Sequence, residues 1–102
     1  MPLVAADEAS AILARGSIAT MKEFTTLLQY VNDNKGRTEE FIALIGRQLS
    51  GKPHEELHAP FLATLRKILH GETLETPEFV TYTLVTKILF PAAGAGSANL
   101  SV

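Results

Sequence analysis

The stretch Phe79–Phe90, FVTYTLVTKILF, decides whether this chain is all-helical or mixed. Its β-branched and aromatic residues suit a pleated strand. The residues before it argue otherwise: Thr76 can cap a helix, Pro77 suits a first helical position, and the Glu78 carboxylate complements the positive end of a helix dipole. Strand alternation also fails at Leu84-Val85 and at Ile88-Leu89-Phe90, whereas helical spacing gathers Thr81, Leu84, Val85 and Ile88 on one face. The segment is expected to be a helix, with a strand as the alternative.

The rest of the chain carries helix punctuation throughout. Asp7 is the expected N-cap of a short first helix, with Glu8 in its first turn and Ile12 and Leu13 as apolar contacts, ending near Arg15–Ser17. Thr20 and Glu23 then spell a capping box, with Ser17 as a rival cap, and Ile18, Met21, Phe24, Leu27, Leu28 and Val31 recur at three- and four-residue spacing. The turn formers of NDNKGR, around Gly36, should end that helix. Thr38 can cap a third, in which Phe41, Ile42, Leu44, Ile45 and Leu49 form the apolar face up to Gly51. Gly46, inside it, is expected to mark close approach of a neighbouring helix, with simple tolerance of a weak spot as the alternative. A fourth helix is expected in APFLATLRKILHG, Ala59 to Gly71, with Phe61, Leu62, Leu65, Ile68 and Leu69 on one side and Gly71 as the residue that turns left-handed.

These segments predict an all-α fold: a compact bundle of about five short helices in a single domain, residues 1–90, followed by a flexible tail, residues 91–102. The 46% of hydrophobic residues supply the apolar surface that offsets the entropy of ordering such a chain. Having no cysteine excludes disulfides, thiolate metal centres and cysteine nucleophiles. The formal charge of −2, with nine scattered Lys and Arg residues, leaves no basic footprint for nucleic acid. Without a basic leader or an apolar run long enough for a bilayer, a cytoplasmic, soluble location with no membrane partner is expected.

One motif has a specific chemistry. His54-Glu55-Glu56-Leu57-His58 matches His-Glu-x-x-His, in which two imidazoles on one helix face bind zinc and the glutamate activates a bound water. Pro60 opposes it, because proline removes an amide and disfavours helix at Ala59, just where the second ligand sits. The extended zinc pattern would require glycine and histidine where Phe61 and Thr64 stand, so a third ligand would have to come from Glu72, Glu75, Glu78 or His70. The plainer expectation is one solvent-facing helical turn and no metal or other cofactor. The remaining carboxylates sit where helix starts favour negative charge, GAGSAN at 94–99 lacks the strand and helix that flank a phosphate loop, and Leu100-Ser101-Val102 reads as a frayed end rather than a ligand for a strand-adding pocket.

The function expected from these residues is a non-catalytic helical protein–protein interaction module, such as an adaptor, regulator or small subunit. The last helix carries more apolar residues than one core-facing stripe needs, and Phe79, Val80, Tyr82, Leu89 and Phe90 are the expected interface, toward another protein or a second copy. A minimal zinc-dependent hydrolase, with His54 and His58 as ligands and Glu55 as the catalytic base, is the alternative. A third reading is a helical small-ligand-binding domain with a pocket lined by Phe61, Leu65 and Tyr82.

Overall fold

The computed structural model describes residues 2–91, with side chains from residue 7 onward. Expectations for 92–102, including the flexible tail and both terminal motifs, lie outside the described residues. Five α-helices follow one another: α1 (Pro2–Arg15), α2 (Met21–Asp33), α3 (Thr38–Leu49), α4 (His58–Leu69) and α5 (Thr76–Leu89), with 3₁₀ turns at Lys35–Arg37 and Glu55–Leu57. The deciding stretch is helical, and no strand occurs among the described residues. Sequential helices pack on one another, α1 on α2, α3 on α4 and α4 on α5, as short connections favour. The radius of gyration is 14.0 Å, near the ~13 Å of a compact chain of this size.

The helix ends follow the expected chemistry, with local corrections. Helix α1 starts at Pro2, five residues before the expected Asp7 cap, and Asp7 is an exposed interior residue. Proline is tolerated in a first turn, and Leu3, Ala5 and Ala6 are strong helix formers, so nothing stops the helix from beginning early. At its other end Gly16, with φ +79°, donates its N–H to the Ile12 carbonyl. Thr20 caps α2 by accepting from the Glu23 N–H at 3.1 Å. The Glu23 carboxylate reaches one residue farther back than a capping box predicts, to the Ala19 N–H at 2.9 Å, because Arg15 also holds it at 2.5 Å.

NDNKGR ends α2 as expected, but Thr38 does not cap α3. Helix α2 stops at Asp33, and the 3₁₀ turn then leads straight into α3, whose first residue is Thr38. The turn's own carbonyls take the early amides: Asn34 accepts from Arg37 at 2.9 Å, and Lys35 accepts from Thr38, so no side-chain cap is needed. Helix α4 ends as anticipated. Gly71 has φ +74°, its N–H donates to Ile68, and the Glu72 N–H donates to Lys67, the paired bonds of a Schellman turn. In α5 the cap is Glu75 rather than Thr76; the Glu78 carboxylate accepts the Glu75 N–H at 2.8 Å, which moves Thr76 into the first helical position.

The core lies where all five helices meet. Phe24 is wholly buried and joins three of them, with ring centroids 6.0 Å from Phe41, 5.3 Å from Phe90 and 6.4 Å from Tyr82. All five apolar residues assigned to α3 are buried, as are Phe61, Leu65 and Leu69 of α4. Met21, placed in the α2 stripe by its spacing, is exposed instead, because it stands in the first turn, at the rim of the bundle. Close helix approach at Gly46 is not found: a Cβ built there would lie 3.8 Å from Leu62 Cδ1, an ordinary contact with a side-chain tip. Tolerance of a weak helical residue is the better description.

Polar clips join the helices at the surface. Gln48 of α3 holds both backbone groups of Ile18, accepting its N–H and donating to its carbonyl at 3.0 Å, which ties the α1–α2 connection to the middle of the bundle. Lys35 donates to the Leu69 carbonyl at the negative end of α4. Arg66 pairs with Glu39 across α3 and α4, and Lys67 with Glu78 across α4 and α5 at 2.6 Å. Solvent screens exposed pairs of this kind, so they orient helices already held by the apolar core.

Candidate functional site

Helix α5 has two apolar faces. Val85 and Leu89, with Thr86 and the following Phe90, turn into the core, and half-buried Tyr82 stacks on Phe61 with centroids 5.9 Å apart. Burial pushes the Tyr82 phenol above its ordinary value. On the other face Phe79, Val80 and Leu84 are 60%, 51% and 47% exposed. The core face is therefore rotated from the expected Thr81-Leu84-Val85-Ile88 set. The reason is the Phe24 cluster, which draws Tyr82 and Phe90 inward and turns Leu84 out.

This splits the expected interface residues. Tyr82, Leu89 and Phe90 serve the core of the chain, leaving Phe79 and Val80 at the surface with Leu84, which that expectation had assigned to the core side. No local pattern separates the two groups; the rotation of α5 is set by tertiary contacts with α2 and α4. Two shallow hollows share Leu84. One, of about 280 Å³, is lined by Phe79, Val80, Thr83 and Leu84; the other, of about 290 Å³, is lined by His54, Leu57, Leu84, Lys87 and Ile88. The apolar surface thus continues from the start of α5 to its end, where it meets the α3–α4 connection.

The histidine motif does not have the geometry its spelling requires. His54 and His58 would share a helix face only on one continuous α-helix. Instead His54 is left-handed, with φ 62° and ψ 51°, Glu55 opens the 3₁₀ turn, and His58 is the first residue of α4. The His58 ring nitrogen Nε2 lies 3.1 Å from the Pro53 carbonyl, and the His54 ring faces Glu56 at 3.7 Å. Pro60 falls in the first turn of α4, where a missing N–H costs little, so the helix break comes before His58 rather than after it.

The proposed third ligands are at the wrong end. His70 and Glu72 follow the last turn of α4, twelve or more residues from His58, which is about 18 Å along a helix. Glu75 and Glu78 begin α5 beside that same end, and Glu78 is committed to Lys67, whose ammonium holds its carboxyl below the ordinary value. Among the described residues no three His, Asp or Glu side chains converge to hold a metal ion. The Phe61-Leu65-Tyr82 pocket is likewise filled: Phe61 and Leu65 are wholly buried, and Tyr82 covers Phe61.

No helix among the described residues is long and apolar enough to cross a membrane. Comparison with protein-family models, curated proteins and solved structures finds no match to this chain, so the geometry of α5 carries the functional argument.

Proposed function

We propose that the chain is a non-catalytic helical interaction module that engages a protein partner through the outward face of α5. The observation that carries this reading is the exposure of Phe79, Val80 and Leu84 together on a helix whose opposite face already supplies the core. Single exposed apolar residues are ordinary, but a continuous apolar face bordered by hollows is where partners bind. Threonines rather than charges dilute the face: Thr83 lies among the apolar residues, Thr76 precedes them, and Lys87 follows at the other end. Its desolvation would therefore cost little.

The test compares the proteins retained by the immobilised full chain with those retained by Phe79→Glu/Leu84→Glu, after circular dichroism has shown that both are folded. Loss of bound protein, including soluble copies of the chain itself, is expected from the double variant. Identical retention by both would overturn the reading.

A further inference from the structure

We infer that the partner seated on this face is a second copy of the chain, with the two α5 helices antiparallel about a two-fold axis near Thr81 and Tyr82. The inference rests on the interaction reading above and narrows it. A two-fold contact requires one patch to complement itself, so each residue must suit whatever stands the same distance on the other side of the axis. The outward face of α5 has that property.

Reversing the helix about a point midway between Thr81 and Tyr82 places exposed Phe79 opposite Leu84 of the second copy, and Leu84 opposite the second Phe79, which closes the apolar centre twice. Val80 then lies opposite the second Thr83, a small side chain that lines the same hollow as Phe79, Val80 and Leu84. The charges fall into place at the ends. Glu75, the exposed cap of α5, and Lys87, exposed in its last turn, are twelve residues apart, about 18 Å, and stand on opposite sides of that point at nearly the same distance from it.

In the antiparallel pair each Lys87 reaches the first turn of the other α5, where Glu75 stands. A parallel pair would instead set Lys87 beside Lys87 and Glu75 beside Glu75. Among the described residues Lys87 forms no ion pair within its own chain, whereas Lys67 and Arg66 do. Opposed helix dipoles add to the same preference. Charge complementarity therefore selects both the occupant and its direction.

One helix face per copy is a small contact, so the dimer should be weak, with a Kd between about 1 µM and 1 mM. Sedimentation velocity of the untagged full chain across that range tests it. Phe79→Ala is expected to weaken association at least tenfold. Lys87→Glu and Glu75→Lys should each weaken it about threefold to tenfold, while the two together restore it to within about threefold of wild type. Circular dichroism confirms that each exposed variant remains folded.

A chain that stays monomeric throughout overturns the inference, as does association indifferent to Phe79→Ala or single reversals that the double reversal fails to rescue. Failure here is distinguishable from failure of the broader reading. A monomer whose retained proteins still depend on Phe79 and Leu84 has a different partner on the same face, whereas a monomer without such dependence sinks both.

Discussion

Replacing Gly46 by alanine should make the protein more stable. Gly46 lies within α3, between buried Ile45 and exposed Arg47, and has no positive φ that only glycine would tolerate. Glycine in a helix interior costs about 0.5–1 kcal/mol relative to alanine, through the freedom it retains in the unfolded chain. The new methyl group would meet only Leu62 Cδ1 at 3.8 Å, so it adds a contact without forcing α3 and α4 apart. The two effects have the same sign, and the expected gain is about 1 kcal/mol. For a domain of this size that is a rise in Tm of about 4–8 °C. Thermal and urea unfolding followed by circular dichroism would measure it. A fall in the urea midpoint with an unchanged slope would refute the reasoning, because it would mean that the α4 backbone comes closer to Gly46 than the structure places it.

Other perturbations probe the core and its clips. Phe24→Ala removes the ring that joins Phe41, Tyr82 and Phe90 and should cost about 3–5 kcal/mol, much of a typical domain's stability; a loss below about 1 kcal/mol on urea unfolding would contradict the Phe24-centred core. Gln48→Ala leaves both backbone groups of Ile18 without their protein partner, so a loss of about 1–3 kcal/mol and faster amide exchange at Ile18 are expected, and unchanged exchange would count against the clip. The Ala19 N–H and the Arg15 guanidinium hold the Glu23 carboxyl below its ordinary value. A lowered carboxylate contributes stability above the unfolded value of about 4.3 and loses it as pH falls through the lower folded value. The Tm advantage of wild type over Glu23→Gln should therefore be present near neutrality and vanish in acid; an advantage independent of pH would show that charge is not its source.

Much of this architecture was written in local signals. The Thr76-Pro77-Glu78 start outweighed the β-branched composition of α5, because a helix beginning is fixed by a few specific groups while β preference depends on the packing it meets. Gly16, Gly51 and Gly71, all at positive φ, mark three helix ends that the sequence announced. The caps of α3 and α5 fell one residue before the expected Thr38 and Thr76, where neighbouring turn groups take the early amides, while Arg15 only redirects the Glu23 carboxylate at the start of α2.

The candidate face was less legible. Helical periodicity identifies an apolar stripe but not which of two stripes faces inward, and α5 carries apolar residues on most of its circumference. Phe24, on a different helix, makes that choice by drawing in Tyr82 and Phe90. The histidine motif was legible as letters only. Its chemistry needs one continuous helix, and the left-handed turn at His54 followed by a 3₁₀ segment denies it that helix.

Self-association through the outward face of α5 is tested most directly by amide and methyl NMR shifts of the full chain recorded over a dilution series. Concentration-dependent shifts are expected at Phe79, Val80, Thr83 and Leu84 and in the adjoining hollow at Leu57 and Ile88, with buried Phe61 and Leu65 unchanged. Shifts confined to α1 and α3, or none at any concentration, would contradict it.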